Sequence, residues 1–268
     1  MTPPDFAEAS AVTPLGEGSY SVEVPAGWDV LGATNGGLLL ATTARALMAE
    51  TGRVPVTLTA HYLAPVAPGR ATIATDLVKR GRGFTTATAR LSQQERDCMA
   101  VLGSFGTIEA DPQVLLQDAE PVVLPAAPGQ MDRVRADAEV GLPPPLMDRV
   151  DIRLHPQDAG FMAGQASGQA RMRAWVSPGA AWDPPGVILA CDVLPPTIFN
   201  ANLPVNWTPT LELTVHVRSI PGTEYVRVDS RTRFVSHGRL EVDSLVWDER
   251  GDLVAQSRQL MLVPRPAS

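Results

Sequence analysis

What most limits how this chain can fold is an internal echo: an ordered set of strand-like runs occurs twice at one spacing. "LTAHYL", ending at Leu63, matches "LTVHVR", ending at Arg218, so His61 and His216 stand 155 positions apart. Gly83 and Gly238 share that separation, and so do Ala100 and Ala255. One shared tripeptide is cheap. An offset kept over four successive strands, with a helix-like segment ahead of each set, is not, and it predicts a duplicated unit within a single chain.

In the first copy, Val56, Leu58, Ala60, Tyr62 and Ala64 alternate with Thr57, Thr59, His61 and Leu63, the period of two of a half-buried strand. Similar runs follow at 71–78, 84–92 and 98–105, separated by Gly81, Gly83 and the polar stretch 93–97, which suits tight antiparallel turns. The second copy repeats them at 211–217, 225–233, 239–247 and 253–262. Shorter strands are expected at 19–24, 149–154 and 170–176. Asn35 to Thr51 lacks proline, is rich in Leu and Ala, and is bracketed by a good N-cap and by Gly52, so it predicts one helix. Its counterpart, Val187 to Asn200, contains Pro195 and Pro196 and must break or bend there. A helix wrapped by one curved sheet leaves edges bare, and a second copy covers them. The expected class is α+β, with a first unit at 1–110, a proline-rich linker at 111–145 spanning the outside, and a second unit at 146–268.

Composition removes several functions. A net charge of −7 supplies no positive field for nucleic acid. No run approaches a membrane span, and Met1 to Ser10 has neither the basic start nor the apolar stretch of a secretory signal, so a cytoplasmic protein is expected. Cys98 and Cys191 form no C-x-x-C and read as free thiols. His61, His155, His216 and His237 show no metal-ligand spacing, and no metal or cofactor is expected. G-x-S-x-G, P-loop and dinucleotide fingerprints are missing. Assembly into a homo-oligomer is left open.

The segments "NGGLLLATTARAL" from Asn35, "PVTLTAHYLAPVAPGRATIATDLVKRGRGFTTATARLSQ" from Pro55, "ACDVLPP" from Ala190, "PTLELTVHV" from Pro209 and "GDLVAQSRQLML" from Gly251 resemble the acyl-CoA thioesterase II, or thioesterase-like, superfamily of double hot-dog proteins. The resemblance covers about 18–110 and 146–264. It implies two tandem hot-dog units, each a central helix wrapped by an antiparallel sheet. It also implies hydrolysis of an acyl-CoA by a water held by an aspartate, a hydroxyl and a glutamine, here Asp192, Thr210 and Gln259, without a covalent intermediate. A thioester carbonyl is already activated, so a positioned carboxylate that takes a proton from water suffices, for about 10²–10⁴ in rate. Hydroxyl and amide groups both donate and accept, which lets them fix that water.

The duplication acts as an internal control. At the repeat offset Thr210 falls on Pro55 and Gln259 on Ser104, and at an offset of 157 Asp192 answers Asn35, so chemistry is expected in the second copy alone. Asn35, Gly36 and Gly37 open a helix whose backbone N–H groups suit a carbonyl or phosphate oxygen. Lys79, Arg80 and Arg82 cluster at a turn and offer a site for the nucleotide end of CoA. Gln259 should share a strand face with Ala255, Ser257 and Met261. Two other readings fit the fold: a catalytically silent acyl-CoA or lipid binder, and a hot-dog hydratase. Glu212, where related sequences tend to carry Asp, and the double proline after Asp192 keep the first of these open. The missing D/N-x-N-P-x-H-x-D pattern argues against the second.

Overall fold

The computed structural model describes residues 4–109, 114–139, 142–204 and 207–263. Met1 to Pro3, Asp111 to Gln113 of the expected linker and residues 264–268 lie outside the described residues. In chain order the strands are β1 (Thr13–Gly16), β2 (Ser19–Val24), β3 (Val54–Tyr62), β4 (Gly69–Arg80), β5 (Thr85–Gln93) and β6 (Arg96–Gly106), then β7 (Asp151–Leu154), β8 (Arg171–Ser177), β9 (Thr210–Val217), β10 (Val226–Arg231), β11 (Arg239–Asp248) and β12 (Leu253–Leu262). The two principal helices are α1 (Gly36–Thr51) and α2 (Pro184–Ala190).

Among the described residues these strands form one antiparallel sheet in the order β1-β2-β4-β5-β6-β3-β9-β12-β11-β10-β8-β7. The order mirrors itself about the β3–β9 junction, where Thr59 lies opposite Thr214 and their hydroxyls meet at 2.9 Å. Those residues are 155 apart, so each pairs with its own echo. An antiparallel pair with that property carries a pseudo-twofold axis between its members. The duplication seen in sequence is thus the symmetry of the sheet.

Both copies bury alternate residues, Leu58 and Ala60 on β3, and Leu213, Val215 and Val217 on β9. Helix α1 packs into the concave side against β3, β4 and β5 and against α2. Asn35 caps its start by accepting from the Leu38 N–H, and Gly52 ends it at φ +65°, a left-handed position that suits glycine. Leu40 and Leu47 are fully buried on it, each worth about 1.5–3 kcal/mol.

The placement of the second helix needs correction, although the chain does break at its prolines. The second helix lies earlier than Val187 to Asn200: Asp183 caps it, Pro184 and Pro185 occupy its first turn, where proline costs nothing, and it ends at Ala190. Pro195 and Pro196 fall outside it, ahead of a 3-10 turn at Thr197–Asn200.

The repeat offset also slips in the final strand. Leu58 pairs with Gly103, while its echo Leu213 pairs with Gln259, so Gln259 answers Gly103 rather than Ser104, and Ala255 answers Met99 rather than Ala100. The cause is the preceding turn, which holds one more residue in the second copy: Ser92 pairs with Asp97, whereas Trp247 pairs with Leu253. A one-residue slip moves every side chain to the opposite face.

The chain between the copies lies along the second one. Ala126 O accepts from the Trp175 indole, Pro128 O and Met131 O accept from Arg153, and Val122 O accepts from Arg227. Its own Val122, Met131 and Val134 are buried.

Candidate active site

The axis brings the start of α1 against the residues that follow α2. There the Asp192 carboxylate gathers three donors from two copies. Its Oδ2 accepts from the Gly37 backbone N–H at 2.6 Å and from Asn35 Nδ2 at 3.3 Å, while Oδ1 accepts from Gln259 Nε2. Asn35 Nδ2 also donates to the Asp192 carbonyl at 3.0 Å, and Asn35 Oδ1 caps the helix. Gln259 then accepts from Thr210 Oγ1 at 3.4 Å through Oε1. The amide thus sits as a fixed bridge, giving to the carboxylate and taking from the hydroxyl.

Each position follows from local structure. Gln259 is an inward residue of β12, sharing the buried face with Ala255, Ser257 and Met261. Thr210 opens β9 just before the bulge at Leu211, which lets Thr210 and Leu211 both line the cavity. Asp192 is aimed by the turn that ends α2, where its N–H donates to Leu189 O. Gly36 and Gly37 leave no room for a Cβ: one on Gly36 would stand 2.9 Å from the Tyr62 ring, and one on Gly37 2.8 Å from Asp192 Cβ.

Burial pushes the Asp192 carboxyl up to about 6, although the Gly37, Gln259 and Asn35 hydrogen bonds pull the other way. The group is therefore mostly ionised at neutral pH and more basic than an ordinary aspartate. Burial also pushes the neighbouring Cys191 thiol up to about 12, so it stays protonated and is no nucleophile. Among the described residues no three His, Cys, Asp or Glu converge as metal ligands. Among the described residues no helix is long and apolar enough to cross a membrane.

Asp192 forms part of the wall of a cavity of about 320 Å³. Leu39, Val66, Leu194, Trp207, Leu211 and Met261 are among its apolar lining residues. Two buried hydroxyls in the same wall, Thr34 and Thr208, have no hydrogen-bond partner among the described residues.

The expected residues divide. Asp192, Gln259, Thr210, Asn35 and Gly37 form one connected set, with Gly36 beside it. The Gly37 N–H, expected to be free for a substrate oxygen, is instead committed to Asp192, because a buried carboxylate needs donors. Lys79, Arg80 and Arg82 are exposed at the β4–β5 turn, where Arg82 O accepts from Arg53 just past the end of α1. That is the opposite end of a 16-residue helix, about 24 Å away, and the structure does not bring them to this cavity. Glu212 accepts from Thr214 beside the axis.

One participant was missed. Tyr62 lies in the cavity wall, donates to Gly36 O at 2.9 Å, and has its hydroxyl proton held well above the ordinary tyrosine range by burial and by Asp192 and Glu212. The signal was present, since Tyr62 has the inward parity of β3, but alternation alone made it an ordinary core residue.

Residues 24–106 match the family of acyl-CoA thioesterase N-terminal domains, and residues 119–263 that of acyl-CoA thioesterase C-terminal domains. A crystal structure of a proposed thioesterase II from Thermobifida fusca YX is 31% identical and superposes with a TM-score of 0.87 over 97% of each chain. A protein of unknown function with a hot-dog fold from Alicyclobacillus acidocaldarius is 24% identical, with a TM-score of 0.85 over 98% of each chain. An uncharacterized protein of Mycobacterium tuberculosis is 26% identical over 88% of both chains.

Proposed function

Because this chain belongs to the acyl-CoA thioesterase family and has its double hot-dog fold, we propose that it hydrolyses an acyl-CoA thioester to the free acid and CoA, with Asp192 as general base. The observation that carries the reading is a carboxylate raised to about 6 in the wall of an apolar cavity. The acyl group lies in that cavity with its carbonyl beside Asp192. A water between them gives a proton to Asp192 as its oxygen bonds to the carbonyl carbon. The proton then passes to the departing CoA thiolate. Gln259 and Thr210 orient the water and the carboxylate, and Gly37 and Asn35 hold the second carboxylate oxygen in place. No covalent intermediate is involved, in keeping with the protonated Cys191. The apolar lining favours an aliphatic acyl group, and two buried free cysteines accord with a cytoplasmic setting.

The test is Asp192→Asn, assayed by thiol release from an acyl-CoA series of graded chain length. Turnover should fall at least about 10²-fold. The variant should remain folded, and the sign of its stability change serves as a control. Asp192 has a folded pKa raised above its ordinary 3.8, so its contribution is full below that value and is lost as pH rises through about 6. Asparagine carries no such pH-dependent loss, so the melting temperature of the variant relative to the unaltered protein should rise as pH goes from about 4 to 8. Binding of acyl-CoA without turnover by the unaltered protein would favour the silent binder.

A further inference from the structure

Behind Asp192 the second copy contains a polar chamber that the hydrolytic reading leaves without a role. Ser230 on β10 lies directly opposite Ser244 on β11, and Ser244 lies directly opposite Ser257 on β12. All three are buried on the concave side, at 5%, 2% and 8% exposure, where apolar residues belong. The Ser230 and Ser244 hydroxyls meet at 2.7 Å, and the buried Ser257 Oγ has no hydrogen-bond partner among the described residues. Ser230 and Ser244 line a cavity of about 40 Å³ together with Asp192 and Gln259. Asp192, Leu194, Pro196 and Met261 border both this chamber and the larger apolar cavity, so the carboxylate stands in the partition between them.

The row is peculiar to this copy. Following the strand registers, its counterparts are Thr75, Ala89 and Val101, and the Thr75 hydroxyl donates to Gly18 O. Two of the three positions are therefore apolar in the first copy. A water needs about 10–15 Å³ of such space and two to four polar partners. The chamber has the volume, and two serine hydroxyls, a carboxylate and a carboxamide supply the partners. It also has a polar link outward: Thr197, in its wall, shares a 2.7 Å hydrogen bond with the half-buried Thr232.

We propose that this chamber supplies the hydrolytic water to Asp192, from the flank facing away from the bound acyl-CoA, with Ser230 and Ser244 as positioning residues. The inference rests on the hydrolytic reading of Asp192. An acyl chain filling the larger cavity displaces water there, so each turnover draws its water through the serine row. The oxygen of that water bonds to the acyl carbon as the C–S bond breaks. One of its protons goes by way of Asp192 to the CoA thiolate, and the other stays on the new acid.

The experiment compares Ser244→Val and Ser230→Val, which fill the chamber, with Ser244→Ala, which keeps its space, using the most active member of a hexanoyl- to palmitoyl-CoA series. Each valine variant, which loses both the hydroxyl and the space, should lower kcat at least about tenfold with KM within about twofold, and the alanine variant, which loses the hydroxyl alone, should lower kcat by less, about three- to tenfold. Valine variants with unchanged kcat, or with KM rising as much as kcat falls, overturn the proposal while leaving Asp192 hydrolysis intact. No turnover by the unaltered protein overturns both readings. A crystal structure of the unaltered protein gives a reading independent of how the variants fold: an ordered water bonded to Ser244 and Asp192 is expected, and a dry chamber overturns the proposal.

Discussion

The two copies share a sheet, a register and an axis, yet differ wherever chemistry is concerned. The bulge at Leu211 has its match at Val56, and the residue ahead of it is Thr210 in one copy and Pro55 in the other. Gln259 answers Gly103, where a Cβ would stand 2.4 Å from a Leu58 methyl carbon. The serine row answers a threonine, an alanine and a valine. The first copy has kept the long capped helix and given it a close-packed sheet. The second has a helix of seven residues and places polar groups in the space released. Yet the site is not the second copy's alone, since Gly37 and Asn35 reach Asp192 across the axis. On the proposed mechanism, duplication allowed one half to specialise in support and the other in reactive groups.

Gln259→Gly, which installs the first copy's residue, should break this difference most strongly. Asp192 would lose the donor to Oδ1 and Thr210 its acceptor, and kcat should fall about 10–100-fold in a thiol-release assay, with a smaller change in KM.

Next in size is a change of pH response. In the unaltered protein kcat/KM should fall about tenfold per pH unit below about 6, as Asp192 takes up its proton. Asn35→Asp tests the contribution of the first copy by placing a second carboxylate about 3.3 Å away and removing a donor. Like charges disfavour joint ionisation, so the acid limb should move up by at least about one unit. An unmoved limb would mean that another group sets the profile.

The smallest effect concerns the axis itself. Thr59→Val removes one half of the hydroxyl pair joining the copies, and should lower stability by about 1 kcal/mol in denaturant titration with turnover unchanged within about twofold.

Much of the fold was legible because the relevant physics is local and periodic. The span of α1 follows from its composition and caps, and the alternation of β3 and β9 placed both strands to within two residues. The second helix was displaced because its signal, Asp183 with two prolines in the first turn, is short, whereas the apolar run after it looked longer. The one-residue slip could not be seen, since turns of different length between similar strands leave no mark on composition. For the site, motif order brought Asp192, Thr210 and Gln259 forward. What joins them to Gly37 is the axis, a property of the assembled sheet that no stretch of sequence contains. Tyr62 and the serine row were hidden by the same rule that revealed the strands, which counts inward residues without asking what they face.

The β3–β9 junction also bears on how the molecule is made. The two threonines at its centre are 155 residues apart, so during synthesis one flank of the early sheet must wait, unpaired, for most of the remaining chain to emerge. Contacts so distant along the chain close late and slowly, and an unpaired strand meanwhile invites foreign partners. The seam that gives the finished protein its symmetry is thus the nascent chain's period of greatest exposure to misassembly.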